Sequence, residues 1–232
     1  FAAAALVVLI VAVPESSAEH PPKRVDFPGA ATLSLSLALL SWGFIVGGER
    51  TLGAFQSWFP ILLGSLLFAL FIVIEARGRE PMVPLRLFRS PIFSGTNLMA
   101  LFLYGALSAF GVFFTLNVQQ VQGYSATLSG ITFLPFAIIL TVMSPWAGKL
   151  SDRHGPRRFL IIGPLLAGLG FAWSALIGLT DGPAQYFTTF FPGIALFGIG
   201  MGFTVAPLTA AVMGSVPKDA SGTASGVNNA VT

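Results

Sequence analysis

Residues 90–148 run for 59 positions without a single Lys, Arg, Asp or Glu. Charge-free stretches also cover 27–48, 51–74, 159–180 and 182–217. With 12 basic and 9 acidic residues among 232, the chain is 9% charged and has a mean hydropathy of +0.82, where soluble domains carry about 25% charge. So few polar groups cannot cover a water-facing surface. The chain is therefore read as an integral membrane protein. It holds no cysteine, which removes disulfides, thiol catalysis and thiolate metal sites.

The apolar runs are about twice the ten residues of a barrel strand and are apolar all round rather than alternating, so they are helices. The longest is broken by the polar, glycine-containing turn Asn117–Ser125. Spans are expected near 30–48, 58–76, 93–116, 127–148, 159–179 and 187–213. Residues 1–13 are too short to span, and no basic region precedes them to make a signal peptide. They are expected to end a truncated helix of a longer chain, and the weakly apolar stretch 222–232 to begin another. The fold class is all-α and polytopic, with linkers at 14–29 and 77–92, a pair of spans within 30–76, and a larger helical segment over 93–232.

Eleven of the twelve basic residues fall in alternate connections: Lys23 and Arg24; Arg77, Arg79, Arg86 and Arg89; Lys149, Arg153, Arg157 and Arg158; Lys218. The intervening connections hold only Arg50. An excess of Lys and Arg marks the cytoplasmic side, so 14–29, 77–92 and 149–158 are expected to be cytoplasmic loops of a plasma-membrane protein. The basic residues are scattered between apolar runs, so the pI near 9.7 reflects loop charge and not a nucleic-acid partner. Trp58, Tyr124, Tyr186 and Trp146 are expected in the interfacial aromatic belts.

Five charges crowd into 149–158, within the stretch Gly148-Lys-Leu-Ser-Asp-Arg-His-Gly-Pro-Arg-Arg. As a bare connection it is a tight basic turn, with Gly155 reversing the chain. Asp152, however, stands near a helix C-terminus, where the dipole disfavours an acid, so it is expected to have a partner such as an Arg or another helix's N-terminus.

The spacing Gly148-x-Leu150-x-Asp152-Arg153-x-Gly155 resembles the loop motif of the major facilitator superfamily. That family usually has a basic residue directly after the second Gly. Here Pro156 intervenes, and the basic pair Arg157 and Arg158 follows. The resemblance is therefore to the weaker second-half copy of the motif. Pro84–Arg89, Gln119–Ser125, Phe133–Phe136 and Gly198–Pro207 together resemble the fourteen-span drug:proton antiporters of the EmrB/QacA type.

The resemblance implies a partial facilitator fold. Residues 1–13 would end the sixth helix, 30–76 would be the inserted span pair, and 93–232 most of the C-terminal half. The missing N-terminal half of the same chain would be its partner. It also implies a gating role for Gly148, Asp152, Arg153, Gly155, Arg157 and Arg158, with protons and small amphipathic molecules as the transported species.

On the span 93–116, Asn97, Tyr104, Ser108, Gly111 and Thr115 share one helical face. Polar side chains in a membrane helix face protein or a watery cavity. Two readings stand open, interhelical hydrogen bonding and the wall of a substrate cavity. Gly198, Gly202, Ala206, Ala210 and Gly214 recur every four positions, as do the small residues Gly163, Ala167, Gly170, Ser174 and Gly178 at steps of three and four. Both sets are expected to be close-packing faces. Gly198–Gly202 has the wrong spacing for a dinucleotide loop.

The acids Glu15, Glu19, Asp26, Glu49, Glu75, Glu80, Asp152, Asp181 and Asp219 lie in loops or at span ends. No catalytic cluster, metal site or cofactor site is expected. The rings of charge that a channel uses are also absent from the sequence. A proton-coupled exporter is the leading reading. A facilitator-fold importer or metabolite exporter, and a transport-inactive membrane sensor, are the alternatives.

Overall fold

A computed structural model of the chain describes residues 26–49, 51, 53–78, 81–180, 185–217 and 220–232. The expected helix end at 1–13, most of the linker 14–29, and Arg50, Arg79, Glu80, Asp181, Lys218 and Asp219 lie outside the described residues. Among the described residues there are helices and no strands. Six helices are long and apolar enough to cross a membrane, and all run through the expected spans. The structure divides into two compact units between Leu85 and Arg86.

The first unit is a helical hairpin of α1 (Phe27–Glu49) and α2 (Phe55–Arg77). Its buried positions on α1 are Gly29, Ser36, Gly43 and Gly47, and on α2 Ser57, Gly64, Phe71 and Glu75. Both sets step by seven, seven and four, so they form one seam between two otherwise greasy cylinders, lined by glycine and serine except at Phe71 and Glu75. Dispersion and close backbone approach drive helix association in lipid, where apolar burial brings no gain. A Cβ on Gly43 would lie 2.9 Å from the Ser57 carbonyl, and one on Gly64 3.0 Å from that of Ser36. The Ser36 hydroxyl donates across the seam to the Gly64 carbonyl at 2.9 Å.

The second unit opens with a 3-10 turn (Leu85–Arg89) and continues through α3 (Pro91–Leu116), α4 (Ala126–His154), α5 (Arg157–Ala175), α6 (Phe190–Gly214) and α7 (Ser221–Val231). Helix α3 starts with a designed-looking signal: Ser90 accepts from Phe93 N–H, and proline follows at the first helical position, where its missing N–H costs nothing. The helix widens into a π turn at Asn117–Val121.

Helix α6 is the centre of this unit. Half of its most apolar window is buried, against about a fifth in the other spans. Gly198 and Gly202 face α4, where Cβ atoms would lie 3.2 Å from Ile139 and 2.7 Å from Met143; Ala206 meets Gly148. On the opposite side Gly193, Phe197, Gly200 and Thr204 press against Gly163, Ala167, Gly170 and Ser174 of α5.

The expected stripes therefore hold in part. Ala210 and Gly214 are exposed, and Gly178 lies beyond the end of α5 with nothing within 4 Å of an added Cβ. The core above α6 is aromatic. Phe110 stacks on Phe197 with ring centroids 4.3 Å apart, and Phe114, Phe136 and Phe190 pack around them.

Helix α5 stops at Ala175, four residues short of the expected span. The cause is Gln122. Its amide donates to the Gly178 carbonyl at 3.0 Å, and its carbonyl accepts from Thr180 N–H at 3.0 Å and Thr180 Oγ1 at 2.8 Å. These bonds hold the chain extended where a helix would otherwise continue. Two of the expected belt residues are likewise structural. Tyr124 is buried, and the half-buried Tyr186 donates to the Thr132 carbonyl at 2.7 Å. Burial, with Tyr124 nearby, pushes the Tyr186 hydroxyl up to about 12, so it remains a donor at physiological pH. Trp58 and Trp146 stay exposed, as a belt requires.

The mid-connection residues Ser151 and Gln122 are both buried, so topology is better probed at exposed His154 and Gln120. With no native cysteine in these residues, a cysteine at His154 is expected to react only with reagents admitted to the cytoplasm. One at Gln120 is expected to react only from outside. Labelling both from one side would overturn the alternating topology.

Candidate functional site

Two groups of residues were expected to carry function, and they behave differently. The charge-rich stretch is mostly helix and not loop. Helix α4 runs unbroken through Lys149, Asp152 and Arg153 to His154, because long cationic side chains keep their heads in water while their stems extend the helix. The break is confined to Gly155 and Pro156. Gly155 adopts φ 82° and ψ 148°, and its N–H donates to the Ser151 carbonyl at 2.8 Å.

Asp152, Arg153, Arg157 and Arg158 are all exposed. Among the described residues none of them forms an ion pair, so the expected partner of Asp152 is not within these residues. His154 is also exposed, its ring Nδ1 donating to the Leu150 carbonyl at 3.1 Å. Gly148 sits in close contact with Ala206, within 3.4 Å of its methyl group for an added Cβ. It therefore packs the end of α4 on α6 and stands apart from the charges.

The polar face of α3 divides along its length. Asn97 is buried: its Nδ2 donates to the Phe93 carbonyl at 2.9 Å, and its Oδ1 accepts from Asn228 Nδ2 of α7 at 3.3 Å. This is the interhelical reading. Asn228, the partner, was not singled out from sequence, although two adjacent amides (Asn228 and Asn229) in a weakly apolar helix were the available signal.

Tyr104 is half-buried against the aromatic core. Ser108 and Thr115 are exposed. The buried side of α3 (Phe93, Ala100, Leu103, Phe110, Phe114) lies about a quarter turn from the polar face. The stripe therefore flanks the packed side and stays open along its outer two thirds. It is separate from the apolar groove of about 460 Å³ between α3 and α5, lined by Met99, Phe102, Leu103, Pro164, Phe171 and Phe197.

A helical unit packed on small residues, with a half-open polar face and a Gly155–Pro156 turn flanked by basic residues, has the architecture of a polytopic helical membrane protein. The chain belongs to the Major Facilitator Superfamily, whose family model matches residues 1–232. It is 31% identical over 226 residues to the tetracenomycin C resistance and export protein of Streptomyces glaucescens, covering 97% of this chain and 41% of the relative.

It is 35% identical over 213 residues to the cephamycin export protein CmcT of Amycolatopsis lactamdurans, covering 89% and 42%. It is 26% identical over 216 residues to multidrug resistance protein 3 of Bacillus subtilis, covering 93% and 41%. The chain thus spans about two fifths of the length of these curated relatives. It is a multi-pass membrane protein of this superfamily with a partial facilitator fold.

Proposed function

We propose that the full protein is a secondary active exporter of amphipathic small molecules, driven by proton influx. The observation that carries this reading is the match of nearly the whole chain to relatives named for antibiotic export. The open face of α3 supports it: a few polar groups (Tyr104, Ser108, Thr115) beside exposed Leu101 and Val112 suit a greasy solute with sparse polarity. A sugar would need several convergent hydrogen bonds. In this reading α1 and α2 are the inserted pair, and the turn at Gly155 and Pro156 belongs to the cytoplasmic gate. The transported proton binds an acid of the N-terminal half, since no described span carries an Asp or Glu near its centre and such groups are expensive and functional where they occur.

The test is substrate-induced proton movement in vesicles containing the full-length protein under an imposed pH gradient. Efflux and proton flux are expected to rise together and to collapse with the gradient. Neutralising Glu49, Glu75 or Asp181 should leave the coupling intact. Asp152→Asn should slow turnover while binding persists, because loss of a state-specific charge contact of about 1–2 kcal/mol changes a two-state equilibrium roughly 5- to 30-fold. Uptake down the gradient would favour an importer, and binding without flux would favour a sensor.

A further inference from the structure

The hairpin of α1 and α2 holds a buried acid that the transport reading does not use. Glu75 is only 3% exposed, although it sits two residues from the end of α2. Its Oε2 accepts from the Val83 N–H at 3.2 Å. Its Oε1 is buried and has no hydrogen-bond partner among the described residues. A carboxylate oxygen left bare in this way forfeits its hydration with nothing in return.

Across the seam, Asp26 caps the start of α1. Its Oδ1 accepts from Gly29 N–H at 2.9 Å. Each carboxyl group thus has one oxygen held by a backbone N–H and one left over. The two leftover oxygens border the same space: the place where Gly29 would carry a Cβ lies 3.1 Å from Glu75 Oε1 and against Asp26 Oδ2. Among the described residues the other charged side chain at this end of the hairpin is Arg77, which is exposed on α2. None of the described cations sits between the carboxyl groups, and no cluster of three or more His, Cys, Asp or Glu forms there to hold a metal ion.

We propose that Glu75 and Asp26 form a proton-binding site, with one resident proton carried on Glu75 Oε1 and donated to Asp26 Oδ2. The proton is the missing partner of the bare oxygen. It also removes the repulsion between two carboxylates that border one space. The glycine at position 29 is the space in which they meet. When the proton leaves to water, two like charges remain at the seam. Glu75, whose other oxygen carries the Val83 N–H, is then the link between hairpin protonation and the docking of the 81–83 segment. The site does not depend on transport: its proton is resident and not the one exchanged for solute.

The test is infrared spectroscopy of the full-length protein in membranes, with glutamate carboxyl groups carbon-13 labelled. At pH 7 the spectrum of the wild type minus that of Glu75→Gln should contain one protonated-carboxyl band, which disappears on alkaline titration. Asp26→Asn, at a half-exposed position, keeps Glu75 in place and covers the case in which Glu75→Gln fails to fold. It should move the loss of the band toward acid, because the neighbouring charge is gone. Absence of a protonated band assignable to Glu75 at pH 7 would overturn the site. A titration unaltered by Asp26→Asn would overturn the shared proton. Transport need not occur for either result, so this outcome is separate from that of the flux assay.

Discussion

Replacing Gly200 with leucine is expected to remove the folded protein from the membrane. Even a methyl group at this position would press on the Ala167 backbone nitrogen and lie 2.6 Å from the Gly163 carbonyl. These are backbone atoms of a packed helix, which cannot step aside as a side-chain tip can. Across the same seam, Cβ atoms on Gly170 and Gly163 would lie 2.5 Å from Phe197 N and 2.8 Å from the Gly200 carbonyl, so neither helix can slide to relieve the other.

Overpacking a core by single methylenes costs about 1–3 kcal/mol, and a leucine side chain driven between two backbones should exceed that range. Against a total stability of about 5–15 kcal/mol, most of the protein should be lost. The measurement is the monodisperse fraction of the fluorescently tagged full-length protein in mild detergent, with its thermal midpoint. Gly168→Ala is the control. It lies on α5, the helix that Gly200 packs against, with nothing within 4 Å of the added Cβ, and should gain up to about 1 kcal/mol of helix propensity. Equal behaviour of the two variants would mean that α5 and α6 are not packed backbone to backbone.

The existence of every span was legible because charge and hydropathy alone decide what can sit in lipid. Where the spans end was not, and the reasons are local. Lys149, Asp152 and Arg153 read as loop because they are charged, yet all three are compatible with a helix that emerges into water. Leu176–Leu179 reads as span because it is apolar, yet Gln122 captures the backbone at Gly178 and Thr180 from 56 and 58 residues away. No window of sequence around either segment contains that information.

The four-residue period in α6 identified a real packing face at Gly198, Gly202 and Ala206. It missed the opposite face, since Gly193, Phe197, Gly200 and Thr204 mix large and small residues and form no simple repeat. The candidate site was legible as a face of α3 but not as a function. Whether a polar residue meets another helix, as Asn97 meets Asn228, or remains open, as Ser108 does, is decided by elements more than a hundred residues distant.

The second large effect is expected at Gly155. Its φ of 82° with ψ of 148° lies where a side chain collides with its own backbone, a region that is essentially glycine-only and costs another residue about 1–3 kcal/mol. The strain cannot be passed along the chain. Pro156 fixes the next φ, here at −72°, and α5 begins at the residue after it. On the other side, Gly155 N–H is bound to the last turn of α4 at 2.8 Å.

Gly155→Ala must therefore either hold the strain or swing the N-terminus of α5, with Arg157 and Arg158, relative to the end of α4 that carries Asp152 and Arg153. The swing is the cheaper course, and it costs the charges of the turn their mutual placement while the packed seams of α6 are untouched. The expected result is a protein that inserts and remains monodisperse, with a thermal midpoint several degrees lower. Its transport rate per folded molecule should fall roughly 5- to 150-fold, the span that 1–3 kcal/mol covers. His154→Ala, one residue away at an exposed position whose own bond stays within its helix, should retain nearly full transport. A Gly155→Ala protein that is destabilised yet transports at the normal rate per molecule would show that the turn only joins two helices, and that the charges around it set orientation and nothing more.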